Sequence, residues 1–464
     1  MPSVSPSDKN NPRPPSTSSE LLLAYYGDDF TGSTDALEFL SRAGARTRLF
    51  LDPPTPAQLA RHPSLQAIGV AGLTRSLAPA DMERTLRPAF TALRALGSPH
   101  VHYKVCSTFD SSPTTGSIGR AIDVGSEIFQ RPFVPLLIGA PALGRHCVFG
   151  TLFARMGIGS TGEIHRLDRH PSASKHPITP MHEADLRLHL AQQTKKKTGL
   201  FNILQLELPD HEAHAALAKL IADKNDIVLF DLLYASQLPR IGSLLDEHAS
   251  RLDPLFTVGS SGVEMALGAH WDAKKRLSHI ASWPHPGAVE PLLVVCGSCS
   301  PVTARQLAWA RENKFTEIRL DTHAATSLHH SSALAATIEA AVQSLARGHH
   351  TVVHTGGTAQ VDPHIAALGA RSAEILGTAL GNVVRGTLER LRLKRVLFAG
   401  GDSSSYAARA VGIEAVEMIA PLAPGAPLCR AYAPNSPADN LEVNFKGGQV
   451  GADDYFAAVA SGHL

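Results

Sequence analysis

Two glycine-rich turns near the carboxyl end of the 464-residue chain carry the residue types best suited to holding an anion. The first, Gly400-Gly401-Asp402-Ser403-Ser404-Ser405, follows the apolar run Val396-Leu397-Phe398-Ala399 and leads into a helix-compatible segment from Tyr406 to Val411. The second, Lys446-Gly447-Gly448-Gln449-Val450-Gly451, follows the strand-like Leu441-Glu442-Val443-Asn444-Phe445. Glycine lets backbone N–H groups approach an oxyanion where a Cβ would collide. A helix N-terminus adds partial positive charge, and a lysine adds a full one. The expected occupant is a polyphosphate, although such turns also serve simply to join strands to helices. The spacing is not the P-loop Gly-x-x-x-x-Gly-Lys-Ser/Thr. No Gly-x-Gly-x-x-Gly follows the first strand, which counts against a nicotinamide-dependent dehydrogenase.

A second set of chemical groups lies in the first third of the chain. The buried-strand pattern Leu21 to Tyr26 delivers Gly27-Asp28-Asp29 to a turn, and Asp35 to Arg42 continues as an amphipathic helix ending at Gly44. Carboxylates at the carboxyl end of a first strand stand where open α/β sheets bind ligands; either aspartate can equally cap the next helix. The strand Ala67 to Gly72 leads to Arg75, which can fork onto a carboxylate or lie solvated in a loop. His102-Tyr103-Lys104-Val105 runs into a hydroxyl-crowded loop containing Ser107 and Thr108, with a helix from about Ser117. Hydroxyls before a helix start suit a polyhydroxylated anion, and they also make ordinary turns. Phe133 to Ile138 leads to Gly139-Ala140-Pro141-Ala142-Leu143-Gly144-Arg145.

The elements positioning these groups read as strand followed by helix, many times over, which predicts an α/β protein with mainly parallel sheets flanked by helices. Phe201 to Leu206 reads as one more strand. The Gly/Ser/His/Pro-rich stretch from about 157 to 182 is too long for a neutral connector and reads as a flap. Residues 1–20 are Ser/Pro/Asn-rich and read as a disordered tail. The composition break at Ser282-Trp283-Pro284-His285-Pro286-Gly287 predicts a linker over 282–290, between a domain of 21–281 and another of 291–464 with a ligand cleft between them.

With 44% hydrophobic and 18% charged residues and a formal net charge of +1, no broad field points to nucleic acid or an acidic membrane. The 23 histidines show no His-Glu-x-x-His spacing, and five cysteines in so long a chain are not a disulfide framework. No signal peptide or apolar run of bilayer length is evident, so the expected compartment is the cytoplasm. Cys296-Gly297-Ser298-Cys299-Ser300-Pro301 read alone suggests a dithiol redox motif. Its position at the head of a large domain, with Pro301 at a helix start, favours a turn and cap.

Taken together, Gly27-Asp28-Asp29-Phe30-Thr31-Gly32, Gly400-Gly401-Asp402-Ser403, Pro424-Gly425-Ala426-Pro427 and Lys446-Gly447-Gly448 through Gly451 resemble the four-carbon acid sugar kinase family over nearly the whole chain. The resemblance implies a kinase that uses ATP and Mg²⁺ to phosphorylate the terminal hydroxyl of a small acid sugar: a tetronate, a 3-oxo-tetronate or a branched 3-oxo-isoapionate. It implies substrate contacts at Asp28, Asp29, Arg75, Lys104, Ser107, Thr108 and Arg145. Nucleotide contacts are implied at Ser298, Ser300, Gly400, Gly401, Asp402, Ser403, Gly425, Lys446, Gly447, Gly448 and Gly451. Asp29 and Asp402 are the catalytic candidates, with Asp402 also a magnesium candidate. No nucleic acid or membrane partner is implied, and a homo-oligomer is compatible. The chain departs from the family pattern at Asp110-Ser111, where Arg-Gly is expected, which points away from a plain tetronate; Arg120 is a possible replacement cation. The rival readings are a dithiol oxidoreductase at Cys296 and Cys299 and a nucleotide-binding sensor without chemistry.

Overall fold

The computed structural model describes residues 20–156, 162–176, 178–325, 330–356 and 369–463. The expected tail, except for residue 20, lies outside the described residues, as do part of the 157–182 excursion and Gly357-Thr358.

Apolar runs become strands β1 (Leu23–Gly27), β2 (Thr47–Phe50), β3 (Ala67–Ala71), β4 (His100–Lys104) and β5 (Val134–Leu137). After β6 (Arg145–Val148), β7 (Thr151–Arg155) and β8 (Ile164–Arg166) come β9 (Thr198–Phe201), β10 (Ile227–Phe230) and β11 (Leu255–Gly259). The second half adds β12 (Leu293–Cys296), β13 (Thr316–Arg319), β14 (Thr351–His354), β15 (Arg395–Ala399), β16 (Ala415–Ala423), β17 (Ala426–Tyr432) and β18 (Glu442–Lys446). All five residues of β1, β3, β4, β11 and β15 are buried, as expected of parallel strands covered by helices on both faces.

Fifteen strands form one sheet in the order β13-β14-β12-β15-β18-β17-β16-β2-β3-β1-β4-β11-β5-β10-β9, and β6-β7-β8 form a separate antiparallel sheet. The two expected parallel sheets are therefore joined edge to edge by a hairpin, β16–β17, which pairs antiparallel with β2 on one side and β18 on the other. Ala415 to Ile419 is the first part of this hairpin. Its turn needs a left-handed residue, supplied by Gly425 at φ +78°. Three successive antiparallel pairings make the parallel strands of the two halves run in opposite senses. The register irregularities between Met418 and Ala423 mark where the ladder is broken, and such bulges bend and twist a strand.

The expected strand Phe201 to Leu206 stops at Phe201. Asn202 accepts the N–H groups of Leu204 and Gln205 while Gln205 reaches back to the Asn202 N–H, a capping box that starts the helix Ile203–Leu206. The described part of the flap region holds β8 and two short 3₁₀ turns. Gly157-Ile158-Gly159-Ser160-Thr161-Gly162 has Gly-x-Gly-x-x-Gly spacing but connects the antiparallel β7 and β8, not a parallel strand to a helix. At the linker, fully buried Arg395 holds Glu442 through Nε (2.9 Å) and Nη2 (2.6 Å) and donates to the carbonyls of Gly287 (3.1 Å) and Val459 (2.6 Å).

Candidate active site

In the first half, Gly27, Ala71, Lys104 and Gly259 stand in register at the carboxyl ends of β1, β3, β4 and β11. Asp28 and Asp29 leave β1 here. Asp29 caps the helix Phe30–Arg42, its Oδ1 accepting the Gly32 N–H at 2.6 Å. The helix thus begins five residues before the expected Asp35. Arg75 forks onto Asp28, Nε to Oδ2 at 3.1 Å and Nη2 to Oδ1 at 2.8 Å, while its Nη1 takes Asp29. Asp29 therefore caps the helix and also pairs with Arg75, which already carries two internal carboxylates. Burial pushes the Asp28 carboxyl up, with Arg75 pulling it down. Lys104 is buried, donates to the Val105 carbonyl at 3.1 Å and lies 3.5 Å from Asp35 Oδ2. Burial alone would depress its ammonium; Asp35, Glu264 and Asp28 outweigh that and leave it raised. A Cβ added at Gly32 would sit 2.6 Å from Asp29 Oδ1, 3.4 Å from Lys104 Nζ and 3.6 Å from Arg75 Nη2, so this glycine keeps open a space where all three meet.

Beyond β4, Ser107 is buried and the Thr108 hydroxyl lies 2.9 Å from Cys106 Sγ. Arg145, at the start of β6, is 6% exposed and gives Nη1 to the carbonyls of Leu143 (2.8 Å) and Arg155 (3.1 Å). Among the described residues it has no ion-pair partner, and its buried Nε has no hydrogen-bond partner. Burial lowers its pKa, with Cys106, Asp110 and Asp35 acting the other way. Arg120 is not a replacement cation: it pairs with Glu83 on the neighbouring helix Pro79–Ala95.

In the second half, Cys296, Ala399 and Lys446 stand in register at the carboxyl ends of β12, β15 and β18. Ser300 caps the helix Pro301–Glu312 by accepting the Thr303 N–H at 3.1 Å, and its hydroxyl donates to the Gly448 carbonyl. Ser298 accepts from the Thr303 hydroxyl at 3.0 Å. The two turns are thereby tied together around Thr303, which also receives Lys446 Nζ at 3.1 Å. Lys446 is fully buried and has no carboxylate partner among the described residues; burial drives its pKa down to about 8. Gly400 adopts φ +151°, and a Cβ there would strike Ser403 Oγ at 2.2 Å. Gly401 has open space where its Cβ would be. Asp402 opens the helix Asp402–Val411 and has no hydrogen-bond or ion-pair partner among the described residues; burial raises its pKa, Asp29 adding to the effect and Arg75 opposing it.

Two of the expected nucleotide contacts also have structural duties. Gly425 sits against the Phe30–Arg42 helix, its N–H donating to Glu38 (2.9 Å) and its carbonyl accepting from Thr34 (3.0 Å). A Cβ on Gly451 would lie 2.1 Å from the Tyr455 ring, so that glycine serves packing. The redox reading loses its thiolate: burial pushes Cys296 up to about 11, the reverse of an activated dithiol.

The two carboxyl edges meet. Phe30 and Phe445 pack edge to face with centroids 4.7 Å apart, and a Cβ on Gly447 would lie 3.3 Å from Thr31 Oγ1. Asp29 and Arg75 act electrostatically on Asp402 across the same gap. Sequence reasoning did not single out Asp35, whose Oδ2 accepts from Ser261 and whose buried Oδ1 has no partner among the described residues. Nor did it find the fully buried pair of His102 and Glu264 at 2.7 Å. The alternation His100-x-His102-x-Lys104 along β4 was the available signal, since residues two apart share one face of a strand.

Residues 23–267 match a family model described as a sugar-binding N-terminal domain, and 293–456 match one described as a nucleotide-binding C-terminal domain. The 3-oxo-isoapionate kinase of Paraburkholderia graminis is 44% identical, with 96% of this chain and 95% of that one covered. The 3-oxo-tetronate kinase of Methylobacterium radiotolerans is 29% identical, with 94% and 98% covered. A crystal structure of a Salmonella typhimurium LT2 protein superposes with a TM-score of 0.74 at 25% identity, covering 95% of this chain and 98% of that one. No helix among the described residues is long and apolar enough to cross a membrane. With a sugar-binding half and a nucleotide-binding half both matched, the chain belongs to the acid sugar kinase family.

Proposed function

We propose that this kinase transfers the γ-phosphoryl group of ATP to the terminal hydroxyl of a branched 3-oxo acid sugar, 3-oxo-isoapionate being the foremost candidate and 3-oxo-tetronate the second. The observation that carries the reading is a pair of buried cations without counter-ions among the described residues, Lys446 in one half and Arg145 in the other. A buried charge is costly unless paired, so each cation is suited to an incoming anion: a phosphate and a sugar carboxylate. The 44% identity to a 3-oxo-isoapionate kinase supports the choice of acid.

In this reading residues 21–281 form the acid-sugar domain, 282–290 the linker and 291–464 the nucleotide domain. Lys446 and the amides of Gly447, Gly448, Gly400 and Gly401 hold the phosphates, with Ser298, Ser300 and Ser403 shaping the two turns. Arg145, Lys104, Ser107 and Thr108 hold the acid. Arg75 holds Asp28 and Asp29 in place, and Asp29 accepts the proton of the attacking hydroxyl. Asp402, unpartnered and crowded by the charge of Asp29, fits a hydrated Mg²⁺, an ion that takes one or two carboxylates and keeps several waters. Magnesium bound there would supply charge neutralisation to the phosphates. Closure of the two edges excludes water and aligns hydroxyl with phosphate. The polar substrates suit a cytoplasmic enzyme.

The test is ADP release coupled to a reporter across 3-oxo-isoapionate, 3-oxo-tetronate, D-threonate and D-erythronate. The expected outcome is turnover fastest with 3-oxo-isoapionate. Tight ADP binding with no ATP consumed on any acid would favour the sensor reading instead.

A further inference from the structure

Arg145 does not stand alone. The loop after β4 and the turn after β8 bring two more polar groups to it, Asp110 and His170, neither assigned a role above. His170 is 5% exposed. Its Nδ1 faces the N–H groups of Ser172 and Ala173, each at 3.2 Å. A ring nitrogen that accepts from two amides carries no proton, so the imidazole proton resides on Nε2. Among the described residues the buried Nε2 has no partner at ordinary hydrogen-bond geometry; the Arg155 carbonyl on its side acts on the ring but is engaged by Arg145 Nη1 at 3.1 Å. Burial lowers the His170 pKa, the Arg155 carbonyl opposing this and Arg145 and His165 adding to it, which keeps the ring a neutral donor.

The matching acceptor is Asp110. Its carboxylate acts on Arg145, His170 and His189, yet among the described residues it makes no ion pair or hydrogen bond with any of them. His189 is engaged elsewhere, its Nε2 lying 3.1 Å from Ser111 Oγ. The backbone that presents Asp110 is strained: the preceding residue, Phe109, is fully buried at φ +57°. Bulky side chains rarely adopt that conformation, and such strain persists where surrounding structure over-determines it, often at ligand sites. The buried Phe109 side chain packs edge to face on His189 at 5.6 Å, so the ring anchors the loop.

We infer that Asp110 and His170 complete, with Arg145, a subsite for the carboxylate end of the acid sugar: His170 Nε2–H and Arg145 donate to the carboxylate, and Asp110 accepts the extra hydroxyl that a branched acid carries beyond an unbranched tetronate. Two unused buried donors and one unused acceptor match a group that is at once an anion and a hydroxyl donor. An unbranched acid leaves Asp110 without its partner and beside a second carboxylate, so the subsite selects for the branch. The inference rests on the acid-sugar reading of Arg145.

The experiment measures steady-state kinetics of four proteins, wild type, Asp110→Asn, His170→Asn and Arg145→Lys, with 3-oxo-isoapionate and 3-oxo-tetronate as acceptors. His170→Asn keeps an acceptor for the Ser172 and Ala173 amides while removing the far donor, and thermal melting checks that it folds. His170→Gln keeps a far donor and should restore part of the loss. Expected is a roughly tenfold or larger rise in KM for both acids in His170→Asn, with the KM for ATP unchanged. Asp110→Asn should lower the preference for the branched acid by about tenfold, through loss with the branched acid and gain or no change with the unbranched one. Unchanged acid KM in His170→Asn, or unchanged preference in Asp110→Asn, overturns the inference while Arg145→Lys still raises acid KM. If Arg145→Lys also leaves acid KM unchanged, the underlying placement of the carboxylate is what has failed.

Discussion

Replacing Lys446 by methionine should make the ligand-free protein more stable and the nucleotide site worse. Lys446 is fully buried, with a hydroxyl but, among the described residues, no carboxylate to meet its charge, and its pKa falls from the ordinary 10.5 to about 8. At about 1.4 kcal/mol per pH unit, that gap corresponds to roughly 3 kcal/mol of penalty for keeping the ammonium charged in the fold. The sign follows from proton counting. Between pH 8 and 10.5 the unfolded chain holds a proton that the folded chain has released, so stability rises with pH across that window. At pH 7 the folded lysine is charged and the full penalty applies. Methionine keeps an aliphatic stem and removes the charge, together with the contact of Nζ over the Tyr455 ring at 6.0 Å from its centroid. Allowing about 1 kcal/mol for the lost hydrogen bond to Thr303, Lys446→Met should gain about 1–2 kcal/mol at pH 7. The assay is chemical denaturation at pH 7 and pH 10, each with and without ADP. The gain should shrink at pH 10, and the stabilisation by ADP should largely disappear in the variant. A variant that is less stable without ligand, yet still stabilised by ADP as wild type is, would refute the reasoning.

Asp402→Asn should lower kcat by about a hundredfold or more while ADP binding changes little, because the lost charge acts on the transferred phosphoryl group; rate and calorimetric binding separate the two effects. Arg75→Ala should cost about 3 kcal/mol or more in denaturant unfolding, since it strands two buried carboxylates. That loss should shrink as pH falls and the carboxyls protonate, and both substrates should suffer. The double substitution Cys296→Ser with Cys299→Ser should keep activity within about twofold in the coupled assay, because no activated thiolate is involved.

The parallel strands, the helix starts and most of the two carboxyl edges were legible because each signal is local. An apolar run ending in glycine or aspartate predicts a strand end, and a strand end in such a sheet is where ligands sit. Lys446, Ser300 and the Asp28-Asp29 pair fell where that rule puts them. The joined sheet was not legible, because β16 and β2 lie hundreds of residues apart and share only two register pairs. The internal duties of Arg75 were not legible for a related reason: an arginine after a strand looks the same whether it awaits a ligand or already holds two aspartates. Nor were the packing duties of Gly425 and Gly451, because a glycine demanded by packing or a hairpin turn has the same letter as one demanded by phosphate. His170 left no trace in spacing; its significance lies in which of its two nitrogens is already taken.

The most direct test of the account is a crystal structure of the enzyme with ADP, Mg²⁺ and the acid sugar bound together. The account predicts the diphosphate on the Gly400-Gly401 and Lys446-Gly448 turns, with Lys446 Nζ within hydrogen-bond reach, and the sugar carboxylate on Arg145 across the gap. A nucleotide seated in the first half of the chain, or an acid whose carboxylate lies away from Arg145, would contradict it.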